Sequence, residues 1–65
     1  MWIKTEDGEL LNLDNACQIA YSEFSNATMA RINSKLYKIS NNNTLDQIAA
    51  AIANHNIYME VPRHG

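Results

Sequence analysis

The apolar residues of this chain change their period once. Through residue 40 they fall in short alternating runs, broken by turn residues at Asp7-Gly8, Asp14-Asn15, Ser25-Asn26 and Asn33-Ser34. From residue 45 onward, Leu45, Ile48, Ala49 and Ile52 keep the i, i+3, i+4, i+7 spacing of one helical stripe. A period of two puts every second side chain on one face of a strand. The pattern therefore predicts several short strands and then one helix. The expected fold class is α+β: a small antiparallel sheet of four to six short strands, one C-terminal-half helix packed on one face, and a short closing strand.

Local signals place the elements. Asp7-Gly8 is a type I′ turn signal, because such turns need positive φ and Gly adopts it freely. A two-residue loop there pairs Lys4 with Leu11 and Trp2 with Leu13. It sends Trp2, Leu11 and Leu13 toward the core and leaves Ile3 and Leu10 on the other face. It also sets Glu6 against Glu9, a like-charge pair that leaves room for a longer loop. Residues 16–24 admit two readings. Cys17, Ile19 and Tyr21 alternate as in a strand, whereas Ala16, Ile19, Ala20 and Phe24 lie near helical spacing behind Asp14 as a cap. The turn at Ser25-Asn26 closes the segment at strand length and favours the strand. Residues 27–33 continue with Ala30 and Ile32 opposite Met29 and Arg31, and 36–40 put Tyr37 and Ile39 on one face. Asn41-Asn42-Asn43 reads as a polar link without packing value. Thr44 is the expected N-cap, with Gln47 reaching back to it and Asp46 in the first turn. Asn54, His55 and Asn56 end the helix, and Ile57, Met59 and Val61 form a closing strand that Pro62 stops.

Sixty-five residues leave room for one domain, 1–65, and one small core. So short a chain buries only about 60% of its unfolded surface. Small scaffolds lean on disulfides, metals or a partner subunit. Cys17 is the single cysteine, so no internal disulfide forms. Strand edges left open invite a second copy, and a homodimer is expected. At 46% hydrophobic and 18% charged, the composition is that of a globular protein. No basic leader precedes an apolar run, and no apolar stretch approaches the ~20 residues of a membrane helix. The expected location is the cytoplasm, with no membrane contact.

No spacing in the chain assembles a catalytic constellation, and the expectation is a protein that is not an enzyme, with no cofactor and no metal. Cys17 lacks a neighbouring base and reads as a buried structural cysteine. His55 suits a helix C-terminus and His64 sits near the chain end. Together with Cys17 they match no zinc spacing. Glu6, Asp7 and Glu9 cluster on a turn, too few for a calcium loop. The net charge of −2 is uneven: residues 1–24 sum to −4, while 25–45 hold Arg31, Lys35 and Lys38 with no acid. Arg31, Lys35, Tyr37 and Lys38 are therefore the candidate contacts for a partner or ligand. Trp2 and Tyr37 are possible anchors for a protein, although Trp2 is expected to be buried. Five basic residues in an acidic chain argue against nucleic acid. The expected role is a small interaction or modulator protein working through protein–protein contact as a homodimer. The alternatives are an anionic ligand or nucleotide binder at a dimer interface, and a DNA-binding regulator.

The stretch Trp2-Ile-Lys-Thr-Glu-Asp-Gly-Glu-Leu-Leu-Asn-Leu-Asp-Asn15 resembles the opening of a set of small bacterial and phage proteins without an assigned activity. That resemblance implies a hairpin, further strands and a late helix. Leu11-Asn-Leu-Asp-Asn-Ala-Cys-Gln-Ile-Ala-Tyr21, with the later Tyr37 and Thr44-Leu45, is also similar to LytTR-type DNA-binding domains. Those domains are longer and richer in basic residues, so their DNA contacts are not carried over.

Overall fold

Two three-stranded sheets share one core. The computed structural model describes residues 1–63. The first sheet is built from β1 (Trp2–Lys4), β2 (Leu10–Asn12) and β6 (Tyr58–Glu60), in the order β2-β1-β6. The second is an antiparallel meander of β3 (Ala16–Ser22), β4 (Ala27–Ile32) and β5 (Lys35–Ser40). Helix α1 (Leu45–Ala53) runs between β5 and β6. The α+β class and the late helix agree with the pattern in the sequence. The single antiparallel sheet does not: the strands divide into two sheets, and β6 joins β1 in parallel. The division falls at Asp14-Asn15. There Leu13–Asn15 makes a 3₁₀ turn, with the Asn12 side chain accepting from the Asp14 N–H (3.1 Å). Such side-chain competition for backbone donors ends a ladder, and the chain leaves β2 in a new direction to start β3. Residues 16–24 form a strand through Ser22, not a helix.

The first hairpin corrects the expected register. Gly8 does take positive φ (+87°), but its N–H donates to the Thr5 carbonyl (2.9 Å) and the Thr5 N–H donates to Glu9 (2.7 Å). The loop is therefore Glu6-Asp7-Gly8, a three-residue turn with Gly in the left-handed position. It separates the like charges that a two-residue loop would set opposite each other. One residue of slip turns every side chain over. Ile3 pairs with Leu11 and both face inward, at 0% and 9% exposure. Trp2, expected in the core, points out and is 49% exposed. The displaced Glu6 is buried, and its N–H donates to the Ile39 carbonyl (2.8 Å), tying the first sheet to the far edge of the second. Asn41 donates to the Glu6 carboxylate.

The core is Ile3, Leu11, Leu13, Ala30, Ile39, Ile48 and Val61, with Met1, Ile19, Ile32, Tyr37 and Met59 packed on it. Helix α1 buries Ile48 and Ala51, while Ala49 and Ile52 face solvent. Its contact face is thus rotated from the predicted stripe, and the small Ala51 side chain lies in the contact. The helix start also differs. Thr44 makes no side-chain cap; its hydroxyl is hydrogen-bonded to Ser40 Oγ (3.0 Å), and Asn43 Oδ1 accepts from the Leu45 N–H instead (3.2 Å). The asparagine link is structural rather than idle. The Asn42 carbonyl accepts from the Thr28 and Ser40 hydroxyls (2.7 and 2.8 Å), and Thr28 Oγ1 accepts from the Thr44 N–H (3.1 Å). At the other end, His55 takes the left-handed position (φ 56°). The Asn56 and His55 N–H groups then bond to Ala51 and Ile52, a Schellman closure.

Candidate interaction face

The register that buries Ile3 and Leu11 sets the opposite face of the first sheet toward solvent. In β1 every second residue points that way, and the pairing of Trp2 with Asn12 and Tyr58, and of Lys4 with Leu10 and Glu60, defines the whole surface. Trp2 and Tyr58 stand side by side on adjacent strands at 49% and 46% exposure, with Leu10 nearby at 59%. Ile57, at the rim before β6, is 85% exposed, and its carbonyl accepts from the Trp2 N–H (2.9 Å). Lys4 Nζ lies 3.6 Å from Glu60 Oε1, so the patch is bordered by a neutralised pair. Beyond that pair a cleft of about 260 Å³ opens, lined in part by Lys4, Gly8, Glu60, Val61 and Arg63. Half of the 150–250 Å² carried by an aromatic side chain is about 100 Å² each for Trp2 and Tyr58. With Leu10 the apolar patch reaches roughly 300 Å², the size range of the largest patches on monomeric proteins, which are often functional.

The basic residues singled out from the sequence do not form one surface. Arg31 and Lys38 lie on the outward face of the second sheet, where Arg31 pairs with Leu36 and Met29 with Lys38. Lys38 Nζ is 3.2 Å from Asp7 Oδ2, so part of that charge is answered within the chain. Tyr37, paired with Ala30, is on the inward face and packs on the core. Lys35 shares that side at the turn and is exposed. Strand alternation thus separates Tyr37 from Arg31 and Lys38, and no stacking-plus-cation surface results.

Cys17, expected to be buried, is exposed. It occupies the bulge that interrupts the β3–β4 register, and its thiol donates to the Arg31 carbonyl (3.6 Å). His55 caps the helix end as expected, while His64 lies outside the described residues. Among the described residues no group of three or more His, Cys, Asp or Glu side chains is placed to hold a metal ion. No helix among them is long and apolar enough to cross a membrane. No family model, curated protein or solved structure matches the chain. The sequence alone does not single out the aromatic face, because Trp2/Leu10 and Ile3/Leu11 offer two apolar faces of one hairpin. The signal that separates them is the Glu6–Glu9 juxtaposition, which disfavours the register burying Trp2.

Proposed function

We propose that this protein is a small non-enzymatic interaction module, and that the outward face of β2-β1-β6 is its contact surface. The observation that carries the reading is the Trp2–Tyr58 pair held half-exposed on adjacent strands of one sheet. Aromatic side chains at the centre of an interface supply most of its binding energy, and polar groups at its rim supply register. Trp2, Tyr58 and Leu10 fit the first role, and Lys4 and Glu60 fit the second. The basic residues support an anionic ligand less well, since Lys38 is engaged by Asp7 and Tyr37 faces the core. The proposed location is the cytoplasm, which suits an exposed free thiol at Cys17.

The single tryptophan is itself the probe. Partners cross-linked to wild-type protein in a cell lysate are identified by mass and then titrated against Trp2 emission. A partner of this face shifts that emission to the blue, and its capture is lost with Trp2→Ser, Tyr58→Ser and kept with Arg31→Ser, Lys38→Ser. Capture that follows the basic pair and ignores the aromatic pair would refute the reading.

A further inference from the structure

Four strands form the outer edges of the two sheets, and three are protected. β2 and β6 are three residues long, and β6 carries Glu60 with Pro62 just beyond it. β5 carries Lys35 and Lys38, and the Glu6 N–H occupies the Ile39 carbonyl on its free side. Short length, lysine, proline and covering chain are the devices by which proteins stop edge strands from pairing. β3 has fewer of them. Its sequence Ala-Cys-Gln-Ile-Ala-Tyr-Ser holds seven residues with no charge and no proline, and a bulge at Cys17 is its one irregularity. Among the described residues, β3 pairs with no strand but β4, and the one backbone bond it makes elsewhere is at its very start, where the Ala16 N–H donates to the Leu13 carbonyl.

A second observation lies at the end of the same strand. Phe24, two residues past Ser22, is fully exposed, at 103%. Helix α1 touches β3, yet Gln18 and Ala20 in the middle of the strand remain exposed.

We infer that β3 is a dimerisation edge, pairing antiparallel with β3 of a second copy to join the two meanders into one six-stranded sheet. A two-fold axis at Ile19, the middle of the strand, sets Cys17 against Tyr21 and Gln18 against Ala20 of the other chain. Every opposing pair is then uncharged, so a second copy meets no like charge along the edge. The same axis carries Phe24 of each chain to the 3₁₀ turn of the other, beside Asp14, and covers the ring that the single chain leaves in water. Asp14 is already paired with the Met1 ammonium, which limits repulsion from the neighbouring Glu23. Pairing of identical edges about a two-fold axis closes the assembly at two copies. This interface is separate from the aromatic face, so the dimer presents that face twice.

Sedimentation equilibrium tests the inference. Wild-type protein should approach twice the 7.3 kDa chain mass as concentration rises. The double variant Gln18→Lys, Ala20→Lys sets lysines opposite each other and should weaken self-association at least about tenfold, as should Gln18→Glu, Ala20→Glu. Mixing the two in equal amounts should restore a heterodimer. Phe24→Ser should weaken the dimer, and Trp2→Ser should leave the mass unchanged. Urea midpoints taken at dilutions where wild type is monomeric establish that each variant folds. A wild-type chain that stays monomeric at about 1 mM, where even weak contacts form, overturns the inference. So does a dimer indifferent to the β3 charges. Loss with Trp2→Ser alone would move the self-contact to the aromatic face and also overturn it.

Discussion

Replacing Ser34 by glycine should stabilise this protein. β4 and β5 are joined by a two-residue hairpin, Asn33-Ser34, between the paired residues Ile32 and Lys35. Both loop residues have positive φ, 51° and 69°, as a type I′ turn requires. Asn tolerates this region because its short amide bonds locally, whereas the serine hydroxyl does so more weakly. The left-handed conformation costs an L-residue roughly 1–2 kcal/mol. Glycine removes that cost but brings about 0.5–1 kcal/mol of extra chain entropy to be lost on folding. The balance for Ser34→Gly is a gain of about 0.5–1 kcal/mol. For a domain of this size that raises Tm by about 3–6 °C. Asn33→Gly should gain less. Gly8→Ala supplies the opposite sign: its φ is +87°, and an added Cβ meets nothing within 4 Å, so the backbone alone opposes it. A loss of about 1 kcal/mol is expected there. Urea unfolding at one fixed protein concentration reads all three as shifts of midpoint with an unchanged m-value. A neutral or destabilising Ser34→Gly, together with a harmless Gly8→Ala, would refute the turn geometry on which both expectations stand.

Two further outcomes test the core and its polar anchor. Ile39→Ala removes a side chain with no exposure and should cost about 2–5 kcal/mol, a large share of the ~3–10 kcal/mol expected for 65 residues. Trp2→Ser, on the outward face, should cost under about 1 kcal/mol in the same urea titration, and equal losses would mean that Trp2 and not Ile3 faces inward. Thr28→Val keeps the shape of a fully buried residue but strips the acceptor from the Thr44 N–H, and should cost about 1–3 kcal/mol. That loss should appear as a lower urea midpoint followed by helix ellipticity, and no change would show that the helix start does not depend on β4.

What could be read from the sequence was governed by period and by turn chemistry. In β4 and β5 the alternation is clear enough that Ala30, Ile32 and Ile39 turn inward as expected, whereas in β3 a bulge at Cys17 breaks it and leaves that thiol exposed. The helix is equally plain from its spacing. Its exact contact face is not, because a nine-residue helix rich in alanine offers Ala51 as readily as Ala49. The first hairpin is the ambiguous element. Its strands have three residues each and apolar side chains on both faces, so the hydrophobic pattern scores both registers alike. A loop one residue longer, chosen to keep Glu6 away from Glu9, then decides the matter. The cap expected at Thr44 does not form for a related reason: its hydroxyl is engaged by Ser40 on β5, a competitor that the cap motif itself does not register.

The same slip that buries Ile3 creates the candidate site. Had the loop closed on two residues, Trp2 would sit in the core and the outward face would carry Ile3 and Leu10, an aliphatic surface without an aromatic anchor. In the observed register Glu6 is released from the ladder and its N–H reaches β5, which locks the hairpin's orientation against the second sheet. Fold stability and surface chemistry are thus set by one short loop. Lengthening or shortening Glu6-Asp7-Gly8 by a single residue should therefore lower stability and, in the same step, change the emission of Trp2, because the ring cannot leave the outward face without pulling Ile3 from the core. Fluorescence and unfolding that respond independently to such loop variants would break the link between register and site.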